Sequence, residues 1–281
     1  MLLDWRQVLE AEFASHRTDR VWRGQVAAID GVIFKMVNPG CAVPNPGAYF
    51  VARKDEFGLL CIATCDYHRR FLSYDISQAS TTHDSMAHAA SELGKLLASG
   101  RLHPDFFING DSAFTRAPHM VIPGGGDAYD YVQSSTRMPI ECAFGILVRR
   151  WGVLWRPLSV RFDRRAPLIG ACMRLHNLCI DERITEETCF KNGLGEVQPG
   201  RWERVPKFDR EGRPVEYLDT AAANAPPPEP RMRRAVAADA GKRRQEALAQ
   251  AIRNAGIARP ALQHGLRKKK RRRRAAVAAR S

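Results

Sequence analysis

Residues 26–37 read VAAIDGVIFKMV, and this stretch constrains the fold more than any other. Its alternation predicts a long β-strand. With a period of two, Val26, Ala28, Asp30, Val32, Phe34 and Met36 share one face. That face is a core row with a single acid in it. A lone buried carboxylate is costly, so Asp30 needs a partner or a metal. The same difficulty recurs at DFFINGDSAF, residues 105–114, where the apolar run Phe106–Ile108 ends on Asn109, Gly110 and Asp111. A chain with two such acids must build a site around them or satisfy each locally.

The neighbouring elements define a mixed α/β domain. Residues 4–17 predict a short amphipathic helix, capped by Asp4, with Trp5, Val8, Leu9 and Phe13 on one face. Leu59–Cys65 and Phe71–Ile76 predict two strands of a hairpin. His83–Ala98 predicts one helix, ended by Gly100. Pro123–Gly126 is a tight Gly-rich turn without the GK[ST] of a phosphate-binding loop and, from the pattern, without a helix opening on it. Thr136 is placed to cap a strong helix whose buried stripe is Ile140, Phe144, Leu147, Val148 and Trp151, with Pro139 in the first turn. A further helix is expected over Pro167–Ile180. The pattern then decays into a polar stretch over 191–220, a Pro/Ala linker over 221–230, and a lone helix over 239–255 with Leu248 and Ile252 as its large apolar residues.

A third acid joins the first two. Arg137, Glu141, Gly145 and Arg149 recur at intervals of four on the strong helix, and Gly145 removes bulk beside Glu141. Two strand-borne aspartates and a helix-borne glutamate can converge at one sheet edge. Such a cluster needs a counter-cation, and hard carboxylate oxygens suit Mg²⁺ or Mn²⁺. The simpler alternative leaves all three acids structural: Asp30 as a turn residue before Gly31, Asp111 capping the next segment, and Glu141 paired with Arg137 across one helical turn.

Composition narrows the partners. The 281 residues carry a formal charge of +14, which favours a polyanion such as nucleic acid over an anionic membrane. Eight consecutive basic residues, Arg267–Arg274, supply more than half of it. They read as a nuclear localisation signal, a nucleic-acid-binding extension, or both. The seven cysteines form no CxxC pair, which suggests reduced thiols in an intracellular chain and argues against zinc at Cys61, Cys65 and His68. No apolar run reaches the length of a membrane span, and the first residues carry no secretory pattern.

The order of short motifs goes further: AIDGV, VARK, CDYHRRF, STTHDS, NGDSAF, QSSTRMPIECAFGILVRRWGVLWRPL and CMRLHNLCI. Over about residues 5–182 this order resembles the DDE nuclease domain of PIF/Harbinger-type transposases. The resemblance implies an RNase H-like fold: a mixed sheet flanked by helices, here with a disordered basic C-terminal extension. It implies a triad of Asp30, Asp111 and Glu141 that is both catalytic and metal-binding, holding two Mg²⁺ or Mn²⁺ ions. It implies a metal-dependent DNA endonuclease acting in the nucleus, with DNA as substrate and a separate DNA-binding protein as partner. His83 and Asp84 would stand beside the site, or merely start a helix. Arg53, Lys54, Arg137, Arg149 and Arg150 would touch DNA phosphate, or remain solvated charges. His176 and Asn177 read as satisfied core polar groups. The chain departs from the family pattern at Asp55, where glycine is usual, and at Asp130, where asparagine is usual.

The expected organisation is an N-terminal helix over 1–25, the nuclease domain over 26–185, a polar extension over 186–220, and a linker, lone helix and basic tail over 221–281. The family's N-terminal helical DNA-binding region is not seen ahead of Asp30, which suggests a truncated or domesticated copy. The competing expectation is therefore a DNA-associated protein that recruits partners without cleaving. A decaying copy that folds poorly is a third reading.

Overall fold

The computed structural model describes residues 5–15, 20–182 and 234–259. Asp4, the linker, the polar extension and the basic run lie outside the described residues.

The VAAIDGVIFKM stretch lies in the central strand, β1 (Gln25–Met36). On one side it pairs antiparallel with β3 (Glu56–Cys65), Asp30 lying opposite Ala63. On the other it pairs in parallel with β5 (Phe107–Asn109), which pairs in parallel with β6 (Met120–Val121). The outer side of β3 carries the short β2 (Phe50–Val51) and, beyond a turn at Asp66–Arg70, its hairpin partner β4 (Phe71–Ala79). The result is a mixed six-stranded sheet flanked by helices, as the sequence leads one to expect.

Alternation along β1 sorts its side chains onto two cores. Ala28, Phe34 and Met36 face Ile140, Phe144 and Leu147 of α4 (Asp127–Arg150) and Ile169 and Met173 of α5 (Phe162–Asp181). Ile29 faces the opposite way, with Leu60 and Ile62, toward Ala87 of α2 (Asp84–Ala90) and Leu97 of α3 (Glu92–Ala98). Ile140 and Leu147 are fully buried, each contributing roughly 2 kcal/mol.

Several expectations are corrected. The single helix over His83–Ala98 is two. Ser91 leaves the helical region and caps α3, its Oγ accepting the Gly94 N–H at 3.0 Å. Gly94 packs against the His88 carbonyl with no room for a side chain, so the two short helices cross there. The strong helix starts at Asp127 rather than at Thr136, and it does open on the Gly-rich turn. The Asp130 carboxylate accepts the Gly124 and Gly125 N–H groups at 2.7 and 3.2 Å, closing that turn. Thr136 and Pro139 are therefore mid-helix, and Pro139 deprives the Ser135 carbonyl of its intrahelical donor. The next helix starts at Phe162, five residues before Pro167. In α1 (Trp5–Ser15), Phe13 and Ala14 are buried while Val8 is exposed.

The C-terminal helix, α6 (Arg234–Asn254), is not a lone helix. Leu248, Ala249 and Ile252 complete a third core with Trp22, Phe107, Val121, Tyr129 and Val132. Arg244 donates to the Phe106 carbonyl at 2.9 Å and lies 5.5 Å from the Phe107 ring. This segment thus belongs to the domain.

Candidate active site

Strand register brings the two aspartates together. Ala28 pairs with Asn109, so Asp30 stands two residues further along β1 and Asp111 two residues past the end of its parallel neighbour β5. β5 ends at Asn109, and Asp111 starts a turn: its Oδ1 accepts the Ala113 N–H at 2.9 Å. The local capping reading of Asp111 is therefore present in the geometry, without excluding a second role.

Helix α4 delivers the third acid. Arg137 Nη1 donates to Asp30 Oδ2 at 3.2 Å, and Nη2 donates to Glu141 Oε1 at 2.5 Å. The expected pairing of Glu141 with Arg137 along the helix is thus one half of a bridge. The other half spans 107 positions and reaches the central strand. Asp30 is not a turn residue: it lies inside β1, its Oδ1 accepting the Gly31 N–H at 2.9 Å.

Burial pushes the Asp30 carboxyl up to about 6. Arg137 and the Gly31 N–H oppose the rise, while the charges of Asp111 and Glu141 add to it. Asp30 therefore feels both of the other acids. Among the described residues, however, no three His, Cys, Asp or Glu side chains form a ready-made metal cage. The donor set nonetheless fits a divalent cation. Two of the carboxylates share one guanidinium, the third acts on Asp30 through its charge, and the oxygens are hard. Glu141 is half exposed and Asp30 mostly buried, so the site opens along α4.

Asp84 stands on the other side of β1. Its carboxylate covers Gly31 so closely that a Cβ there would lie 2.8 Å from Oδ2. Burial first, and then the charge of Asp111, hold its carboxyl above the ordinary range, while His83 lowers it. His83 caps α2, its Nδ1 accepting from Ser85 N–H, so His83 starts the helix while Asp84 feels the charge of Asp111.

The basic residues divide into two groups. Arg137 is in the site. Arg149 and Arg150 lie in the last turn of α4, and Arg149 stands about 18 Å along the axis from Arg137 and about a third of a turn around it. Arg53 and Lys54 are not brought to the acids. They are exposed in a turn that precedes Glu56, and about 23 Å of strand separates Glu56 from Ala63, the partner of Asp30. The turn ends on Asp55 at φ 53°, a left-handed conformation that explains a preference for glycine there and that Asp tolerates. Cys61 and Cys65 are buried in β3, and His68 pairs with Glu12 at 3.1 Å. His176 and Asn177 are core polar groups: the His176 ring bonds the Arg69 carbonyl at 2.9 Å, and the Asn177 side chain makes two 2.8 Å bonds to the Phe71 backbone.

The sequence reading missed a set of buried amides beneath the acids. Asn109 Nδ2 donates to the Gln133 carbonyl at 2.8 Å and to Thr136 Oγ1 at 2.9 Å. Gln133 Nε2 donates to Asn109 Oδ1 at 2.7 Å and to the Gly110 carbonyl at 2.6 Å. Gln25 Nε2 donates to the Thr136 carbonyl at 3.0 Å, and its Oε1 accepts from the Trp22 indole at 2.6 Å. These bonds tie the strand end that carries Asp111 to the helix that carries Glu141. The only sequence signal was single amides beside apolar residues: Gln25 before VAAI, Asn109 after FFI and Gln133 after YV.

A family model for the DDE superfamily endonuclease matches residues 29–177, just over half the chain. No curated protein and no solved structure matches it. Each of the three acids falls inside the matched span, on the elements described above. The chain belongs to the DDE superfamily endonuclease family.

Proposed function

We propose that this chain is a metal-dependent DNA endonuclease of transposase origin, of the PIF/Harbinger type, with Asp30, Asp111 and Glu141 as its catalytic and metal-binding residues. The observation that carries the reading is the Arg137 bridge between Asp30, inside β1, and Glu141, on α4, with Asp111 just past β5 close enough to act on the Asp30 carboxyl. The family match supports it.

The three carboxylates would hold Mg²⁺ or Mn²⁺, two ions on the family's pattern. Such ions supply a lowered pKa for bound water and charge neutralisation at the leaving oxygen. The protein's part is positioning. Asp30 is fixed by the central strand and by its bond from Gly31. Asp111 is fixed by its turn and by the buried amides behind it. Glu141 reaches in from the exposed side of α4, where it can follow the geometry of the bound group. Asp84 would adjust the field at Asp111 from the far side of Gly31.

DNA would run along α4, with Arg149 and Arg150 contacting phosphates beyond the site. Arg53 and Lys54 would serve a more distant part of the duplex. The net charge of +14 would add salt-dependent affinity that carries no sequence information. Nuclear import through Arg267–Arg274, and a separate DNA-binding protein for target choice, complete the proposal.

Nicking of supercoiled plasmid tests it. The chain should nick with Mn²⁺ or Mg²⁺ and not with EDTA, and Asp111→Asn should abolish nicking. Folded protein that binds DNA without nicking would refute the nuclease and favour the non-cleaving, partner-recruiting alternative.

A further inference from the structure

We propose that Arg137 is the counter-cation of the metal-free site, a positioning residue that a divalent metal must displace from between Asp30 and Glu141. The inference rests on the proposed role of those acids and goes beyond it.

The bridge uses two guanidinium nitrogens on two carboxylates from different elements. It engages Asp30 Oδ2 and Glu141 Oε1, oxygens that a cation shared by the two acids would also take. A guanidinium and a metal ion cannot occupy that space together. Helix stabilisation does not account for the contact. Along a helix, an acid four residues before a base is the favourable order, and here the base comes first. Nor does a surface ion pair account for it, since the Arg137 side chain is 17 % exposed and also reaches a strand 107 positions away. Arginine suits this task because it stays charged at any relevant pH and its planar fork fits two acceptors at fixed spacing. Without it, Asp30, Asp111 and Glu141 would repel one another around a partly buried point. The bridge therefore holds the carboxylates near one another and suppresses their repulsion until metal arrives.

The consequence is competition. Removing the guanidinium should weaken the metal-free protein and strengthen metal binding, a pairing of effects that a purely structural arginine would not give. The test is a Mn²⁺ titration at pH 8, followed by thermal unfolding and by calorimetry, on the 281-residue chain. Wild type, Arg137→Gln, Arg137→Lys and Asp30→Asn are compared. Arg137→Gln should melt lower without metal and half-saturate at a Mn²⁺ concentration on the order of tenfold lower, because one repelling unit charge is gone from beside the ion. Arg137→Lys keeps a charge but can reach only one carboxylate, so it should fall between the two. It also serves as the measurement if the Gln variant does not fold.

Half-saturation at equal or higher Mn²⁺ in Arg137→Gln, or in Arg137→Lys where the Gln variant does not fold, would overturn the proposal and make Arg137 a fixed partner of the site. Asp30→Asn separates the two levels of inference. It should lose the metal response. If it keeps the full response, the ion binds elsewhere and the site assignment itself fails.

Discussion

Asp30→Asn should stabilise the metal-free protein at neutral pH. Burial raises the Asp30 carboxyl from the ordinary 3.8 to about 6. An acid raised on folding contributes stability that is complete below its unfolded value and is lost as pH rises through its folded value. For Asp30 the loss falls between about pH 4 and pH 6 and corresponds to about 3 kcal/mol at pH 7.5. Asparagine cannot ionise and so escapes this cost, but its single oxygen keeps only one of the two bonds that Gly31 and Arg137 donate to Asp30, so about 3 kcal/mol is the upper end of its gain. For a domain of this size that upper end is about 6 to 12 °C in melting temperature. It should shrink to under about 1 kcal/mol at pH 4, where the wild-type carboxyl is neutral in the folded chain. The assay is thermal unfolding in EDTA across pH 4 to 8. A variant that melts at or below the wild-type temperature at pH 7.5 would refute the reasoning, because the Arg137 bridge would then outweigh burial.

Other expectations follow from the same geometry. Asn109→Leu removes three bonds of 2.7–2.9 Å from a fully buried position and should cost about 3 kcal/mol in urea unfolding, with a lower turnover number and little change in KM. A cost below about 1 kcal/mol would mean the amides do not tie Asp111 to α4. Ile252→Ala should cost about 2 to 4 kcal/mol and expose the Trp22 environment to fluorescence quenchers, whereas a neutral result would detach α6 from the domain. Gly31→Ala should change stability by less than about 1 kcal/mol, because the Asp84 carboxylate can swing away, yet it should slow nicking. Unfolding and plasmid assays on one preparation distinguish that pattern from a folding defect.

The sheet was legible because alternation sorts side chains without reference to distant residues: β1 and the β3–β4 hairpin follow from it. Asp30 was legible as an acid in an apolar row, and the Arg137–Glu141 contact as a pair one turn apart. The Asp30–Arg137 contact was not legible, since its partners are 107 positions apart and meet only once α4 lies on the sheet. The start of α4 was hidden for a different reason. Gly126 supplies no capping side chain, and Asp130 reaches back to the Gly124 and Gly125 amides instead, so the usual Ser/Thr signal pointed to Thr136. Thr136 turned out to bond the Val132 carbonyl within the helix and to take a bond from Asn109. The helix α6 looked isolated because Leu248 and Ile252 are the only large apolar residues of its buried face, and their packing with Trp22 and Tyr129 depends on tertiary structure.

The central claim is that Asp30, Asp111 and Glu141 hold the catalytic metal. Anomalous diffraction from crystals of the chain grown with Mn²⁺ tests it most directly. The account predicts a manganese peak within coordinating distance of all three carboxylates, with Arg137 turned away from Asp30. Manganese absent from these acids at saturating concentration, with the Arg137 bridge intact, would contradict it.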